Sequence, residues 1–299
     1  MKRVLIAGAT GYLGRFLCEE YRARGWYVTA LVRAKATLEG LAADALVEAE
    51  ATRPETLGGV MEGADLVISA LGITRQKDGL GYWDVDYGAN LNLLREAERA
   101  GVARFAYVHV FKAAEMAEVP LVAAKSAFVA KLQASPISST VVAPTGYFSD
   151  MGELFEMAQK GRVGLFGSGL TRVNPIHGAD LAAALASAVE RGAAWADIGG
   201  PETFTQVELA RLAFDTLGKR PRIYLFPDLI RRIALWALPR AAPRHVAGPL
   251  QFFLTATALD MEAPAFGQRR LADHFATLAS GTSKAGKPNP ISEKSHVLS

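Results

Sequence analysis

The chain has 299 residues, with 33 Lys or Arg against 30 Asp or Glu and a formal charge of +3. Half of the residues are hydrophobic and 21% are charged, which excludes disorder of the whole chain, and so slight a cationic excess is no footprint of nucleic-acid binding. Much of that excess sits at the end, where Lys284, Lys287 and Lys294 face only Glu293, so the body is close to neutral.

Short β-branched and aromatic runs alternate with longer amphipathic segments up to about residue 145, the pattern of parallel βαβ units. In chain order the pattern predicts a strand over 3–7, a helix over 12–24, strands over 26–32 and 45–50, and a helix over 54–61. There follow a strand over 66–70, a helix over 83–100, a strand over 104–110, a helix over 121–134 and a strand over 139–144. Gly25 and Gly101 stand where helix C-termini favour positive φ. Right-handed crossovers then give an α/β fold, a Rossmann-type doubly wound parallel sheet over residues 1–145. Beyond it, Gly161, Gly164, Gly167, Gly169 and the turn Gly199-Gly200-Pro201 separate helices predicted over 150–160, 178–191, 206–217, 229–238 and 268–279. This reads as a smaller, mixed C-terminal substrate lobe over 146–280, with some segments free to return to the core. Residues 281–299 are mostly Ser, Lys, Gly, Pro and Asn, too polar to offset the entropy of ordering them, and are expected to be a disordered tail.

The single cysteine, Cys18, has no partner for an internal disulfide, and the five histidines show no metal-ligand spacing. A reducing, metal-free, cytoplasmic setting is expected. The apolar run at residues 4–7 meets Gly8 too early to form a signal-peptide core. The apolar region 223–259 is broken by Asp228, Arg231, Arg232, Arg240 and Arg244, well short of the roughly eighteen uninterrupted residues of a membrane span.

The first predicted strand runs straight into Gly8-Ala9-Thr10-Gly11-Tyr12-Leu13-Gly14, which opens a helix. Gly8 permits the tight turn, Gly11 lets a pyrophosphate approach the backbone, and Gly14 lets the helix pack on the sheet with its free N–H groups facing the anion. Thr10, Tyr12 and Leu13 belong to the same loop and first turn. A dinucleotide-binding site follows, and the end of the second strand chooses the dinucleotide. NAD sites place an acidic residue there, about twenty positions after the loop. Here it is Arg33, with Lys35 near it, a pair suited to a 2′-phosphate, so NADP(H) is the expected cofactor. The fourth strand ends at Ser69-Ala70-Leu71-Gly72, where Ala70 and Leu71 are small or apolar enough for backbone to run beside the adenosine. The polar loop 74–79 after it lies at the ligand-binding edge of such a sheet.

Gly8-Ala9-Thr10-Gly11-Tyr12-Leu13-Gly14-Arg15, Asp86-Tyr87-Gly88-Ala89-Asn90-Leu91-Asn92, Lys125, Pro144-Thr145-Gly146-Tyr147-Phe148 and Asn174-Pro175-Ile176-His177 ahead of Asp180 together resemble an atypical short-chain dehydrogenase/reductase of the NmrA-like group. Within that group the likeness is to divinyl chlorophyllide 8-vinyl reductases. The resemblance implies a serine after the fifth strand and a Tyr-x-x-x-Lys on the next helix, the tyrosine moving a proton and the lysine lowering its pKa and holding the nicotinamide ribose. Lys125 is present, but Leu121 stands at the tyrosine position and His109 at the serine position. Two readings follow. In one, NADPH reduces a polarised double bond, Lys125 holds the ribose, and Lys125, His109 or Tyr147 supplies the proton. In the other, the chemistry is lost and the protein is an NADP(H)-binding sensor or assembly factor.

In the region 121–130 Lys125 is the only charge, which points it into a cleft rather than to solvent. Tyr147 and Phe148 are placed to wall a nicotinamide pocket, and His177 to anchor a loop between lobes. Leu229, Ile230, Ile233, Ala234 and Ala237 share one helical face, which core packing would explain, yet Leu250 to Leu254 add more apolar bulk than the lobe needs. The partner expected is a hydrophobic small-molecule substrate, with a membrane surface or a protein meeting the C-terminal lobe.

Overall fold

The computed structural model describes residues 1–33, 40–73 and 79–281. Lys35, the loop residues 74–78 and the tail from 282 onward lie outside the described residues. The elements in order are β1 (Arg3–Ala7), α1 (Tyr12–Ala23), β2 (Tyr27–Val32), β3 (Ala45–Glu48), β4 (Leu66–Ser69), a π-helical segment (Trp83–Ala89) running into α2 (Asn90–Arg99), β5 (Arg104–Val108), α3 (Pro120–Gln133) and β6 (Ser138–Pro144). The second half contributes α4 (Gly152–Gln159), β7 (Val163–Phe166), β8 (Arg172–Val173), α5 (Gly178–Glu190), β9 (Trp195–Ile198), β10 (Phe204–Thr205), α6 (Gln206–Thr216), β11 (Ile223–Phe226), α7 (Asp228–Ala241), α8 (Arg244–Ala256) and α9 (Leu271–Ala279).

Among the described residues the main sheet has seven strands in the order β3-β2-β1-β4-β5-β6-β9, all parallel. Alternation along each strand feeds two layers: Val4 and Ile6 pack with Leu13, Leu17, Leu181 and Leu185 of α1 and α5, whereas Leu5 and Ala7 pack with Leu93 and Leu94 of α2. Phe105, Tyr107 and Phe128 join β5 to α3 on that second face. A third cluster gathers Phe155, Phe214 and Phe275 from α4, α6 and α9.

Several expectations are corrected. The helix over 54–61 is a single 3-10 turn at Pro54–Thr56, because Gly58-Gly59 follows and Gly59 takes φ +80°. The helix over 83–100 begins as a π-helix. Residues 195–198 form an unpredicted strand that completes the main sheet beside β6. Helix α8 was also not predicted, its pattern broken by Gly248-Pro249. Core packing does not account for the α7 face: Leu229, Ile230 and Ile233 are exposed, and no residue of α7 is buried.

Candidate functional site

The glycine loop leaves β1 with Gly8 at φ +82°, and a Cβ there would stand 3.0 Å from the Ala70 carbonyl group, so Ala70 and Leu71 run directly beside it. Gly11 N–H donates to the Gly8 carbonyl at 3.0 Å to close the turn. A Cβ on Gly14 would sit 2.0 Å from that same carbonyl oxygen, so only glycine lets α1 start against the loop. No side chain caps the N-terminus of α1, and its first turn holds no acid. Thr10 and Gly11 are exposed at the tip. A bare helix N-terminus beside a glycine-lined cradle fits the pyrophosphate of a dinucleotide.

The other loop residues do different work. Leu13 is buried in the sheet–helix core, so only its backbone faces the loop. Tyr12 packs its ring edge-on against Tyr147 at 5.7 Å, and its hydroxyl accepts a hydrogen bond from Gly178 N–H at 3.0 Å. Burial pushes the Tyr12 phenol up to about 12. Arg33 follows the last residue of β2 and is exposed, at the sheet edge reached by the glycine loop.

Lys125 projects from α3 to the opposite flank of this edge. Its Nζ donates to the Val108 carbonyl at 3.2 Å and to the Tyr107 hydroxyl at 3.3 Å, and lies 3.3 Å from Asp86 Oδ1. The Asp86 side chain is wholly buried and that of Lys125 is 11% exposed. Asp86 Oδ2 accepts from Ile73 N–H at 3.3 Å, and a Cβ on Gly72 would stand 2.7 Å from Asp86 Oδ1 and 3.0 Å from Lys125 Nζ. The backbone after β4 therefore lies directly over the ion pair. Burial opposes the Lys125 charge, but Tyr107 and Asp86 outweigh it and hold the ammonium above its ordinary value. Burial raises the Asp86 carboxyl above its ordinary value, and the Lys125 charge opposes that rise.

His109 lies under α3, with its Nε2 3.4 Å from Ser126 Oγ and its ring edge-on to Trp195 at 5.8 Å. Its Nδ1 has no hydrogen-bond partner among the described residues. Burial, helped by the Lys125 charge, lowers its pKa to about 3, so the imidazole is neutral at physiological pH. Tyr147 is half-buried, and its phenol is raised by burial, so its hydroxyl keeps its proton. Its backbone N–H donates to Asp150 at 3.0 Å. Leu121, at the position of the expected tyrosine, is packed in a core cluster with Met116 and Val122. His177 caps α5 by accepting from Ala179 N–H at 3.1 Å, and its ring meets Phe16 and Phe148, the contact between halves. Phe148 is buried.

The structure thus sets Gly8, Gly11, Gly14, Ala70 and Leu71 together as a cradle, with Tyr12 and Tyr147 in ring contact at one end and Lys125 across Gly72. Sequence reasoning gave no role to Asp86 and Tyr107. The signal for Asp86 was its spacing from Asn90: both are fully buried polar residues, four apart, on the helical face that carries Leu93, Leu94 and Ala97 into the core. Asn90 Nδ2 donates to the Val85 and Asp86 carbonyls at 3.2 and 3.0 Å, which supports the π-helical turn that aims Asp86 inward.

The chain is 30% identical to the chloroplastic divinyl chlorophyllide a 8-vinyl-reductase of Oryza sativa subsp. indica, over 80% of this chain and 64% of that protein's length. It is 32% identical to the photosystem II assembly factor Ycf39 of Synechocystis sp., over 50% of this chain and 46% of that protein. In fold it is similar to an NADPH-dependent quinone oxidoreductase of Escherichia coli solved with NADPH, with a TM-score of 0.73 at 18% identity, covering 92% of this chain and 99% of the other. A family model described as NAD(P)H-binding matches residues 8–191, a span that holds the glycine loop, Arg33, Asp86 and Lys125, and the chain belongs to this NAD(P)H-binding family.

Proposed function

We propose that this protein is a cytoplasmic, NmrA-like reductase that uses NADPH to saturate a conjugated bond in a hydrophobic small molecule. The observation that carries the reading is the buried, charged Lys125 at the cradle, held by Asp86, in a chain where Leu121 replaces the phenol that carbonyl reduction relies on. The bare N-terminus of α1 and the Gly8–Gly11 turn would hold the pyrophosphate, Arg33 the 2′-phosphate, and the Lys125 ammonium a ribose hydroxyl. NADPH, when bound, supplies a hydride.

A carbonyl acceptor needs a strong, well-placed acid because its oxygen takes the full negative charge. A conjugated carbon acceptor spreads that charge over the π-system, so a weak acid is enough. Tyr147 suits that need: its raised phenol stays protonated, and it stands beside Tyr12 at the cradle. His109, neutral down to about pH 3, carries no imidazolium proton to give at neutral pH. The name of the rice relative supports this reading.

The likeness to the Synechocystis assembly factor favours a second reading, an NADP(H)-binding protein without turnover. NADPH oxidation by the purified protein across a panel of quinones, enones and vinyl-bearing compounds separates them. Turnover with a conjugated acceptor, lowered at least tenfold in kcat by Tyr147→Phe, supports the reductase. Tight NADPH binding without turnover on any acceptor favours the second reading.

A further inference from the structure

Helix α7 rides outside the rest of the molecule. It packs on α8 and is tied there by Arg231, whose guanidinium donates to the Leu254 carbonyl at 3.1 Å and pairs with Asp228 at 2.6 Å. Its outer face is apolar and bare: Leu229 is 62% exposed, Ile233 55% and Trp236 66%, at a spacing that stacks them on one side. Tyr224, Leu225 and Phe226 of β11, and Val246 and Leu250 of α8, add further exposed apolar side chains. A patch of this kind is larger than scattered surface hydrophobes account for.

The charge of this region says what covers it. From residue 219 to 259 the cations are Lys219, Arg220, Arg222, Arg231, Arg232, Arg240 and Arg244, and the only acid is Asp228. A chain whose body is near neutral therefore concentrates its positive charge around its most exposed apolar surface. The Arg240 guanidinium lies over the Trp236 ring at 4.9 Å, the paired aromatic and cation of an interfacial anchor. At the start of β11, an open cleft of about 320 Å³ is lined by Lys160, Lys219, Arg220 and Arg222. A second copy of the chain would bring like charges together. The residues after Gly281 are cationic too, with Lys284, Lys287 and Lys294 against Glu293. No helix of the described residues is long and apolar enough to cross a membrane, so the face can lie on a bilayer without spanning it.

From this we infer that the α7 face is a docking surface for an anionic lipid bilayer. Leu229, Ile233 and Trp236 enter the boundary between headgroups and acyl chains, and the exposed Arg232 and Arg240 meet the phosphates. The inference stands apart from the reductase reading, because it is tested without turnover.

The test is flotation of the purified full chain with vesicles of phosphatidylcholine alone and with vesicles of phosphatidylcholine mixed with phosphatidylglycerol. Partition onto the mixed vesicles is expected to exceed that onto the neutral ones by roughly tenfold or more and to weaken as salt is raised. Ile233→Glu, and separately Arg232→Glu, are expected to reduce it severalfold while NADPH affinity stays unchanged, which reports that the variants are folded. Three results overturn the inference: no flotation with either lipid, flotation indifferent to both substitutions, or a dimer in solution that Ile233→Glu dissociates.

Discussion

Lys125 and Asp86 pair inside the protein, at 3.3 Å, with the Asp86 side chain wholly buried. Removing one partner of a buried pair leaves the other without its counterpart, so Lys125→Met is expected to cost about 3–5 kcal/mol of stability. The double variant Asp86→Asn/Lys125→Met should recover part of it in denaturant melts; strictly additive losses would deny the coupling. Arg33 makes a different prediction, since it is exposed and serves no contact in the core. Arg33→Asp is expected to lower the NADPH over NADH preference in binding at least tenfold, with little change in melting. His109 predicts a pH dependence. The unfolded chain takes up a proton on this imidazole from about pH 6.5 downward, whereas the folded chain resists until about pH 3. Stability therefore falls with pH across that window, by about 1.4 kcal/mol per unit. Asp150, raised to about 6 by burial, works in the opposite sense above its unfolded value near 3.9. The His109 contribution is isolated by comparing wild type with His109→Phe: the variant should gain on wild type as the pH is lowered, and parallel profiles would contradict it. At this scale the sequence showed Lys125 through its isolation among apolar residues, but it did not show that a buried acid answers it. Asp86 lies 39 positions upstream, and only the π-helical turn brings it there.

The elements that sequence patterning found are those whose pattern is long and uniform: β1 has the predicted bounds, α1 differs by one residue at its end, and α3 is shifted by one residue at each end. The glycine loop was equally plain, because each of its glycines has a backbone reason to be there. Gly14→Ala would force a Cβ to 2.0 Å from the Gly8 carbonyl oxygen, a backbone atom with nowhere to go. The expected result is a loss of about 1–3 kcal/mol in stability and of measurable NADPH binding by calorimetry. What patterning missed has local causes. Strand β9 is four residues, Trp-Ala-Asp-Ile, too short and too polar to announce itself, and it is selected by the open edge of β6. Over 54–61 the apolar Leu57 and Met61 are buried as a helix would bury them, but the glycine pair between them favours turns.

In the whole molecule the second half of the chain is not a separate layer, since α5 and β9 belong to the first one. Asn174 fastens the rest. Its Nδ2 donates to the Ala263 and Gly200 carbonyls at 2.8 and 3.3 Å, and its Oδ1 accepts from Ala263 N–H at 3.1 Å. Asp180 accepts from the Gln268 and Arg269 N–H groups at 3.1 and 3.0 Å and pairs with the Arg269 guanidinium. Asn174→Ala would strip partners from three buried backbone groups, and a loss of about 2–4 kcal/mol with faster proteolysis around residues 261–270 is expected. None of these stitches could be read from sequence, because the bonds to Ala263, Gln268 and Arg269 join residues about ninety positions apart and even the bond to Gly200 spans 26.

The hydrogen bond from Gly178 to Tyr12 spans 166 residues, and it marks the line along which α5 closes over α1. On a ribosome adding about 5–20 residues per second, helix α1 is made roughly 8–30 s before the helix that covers it. Throughout that interval Leu13, Leu17 and Tyr21 lack the cover that α5 later gives them, so the order of synthesis leaves the apolar face of α1 open until residue 178 and beyond have emerged.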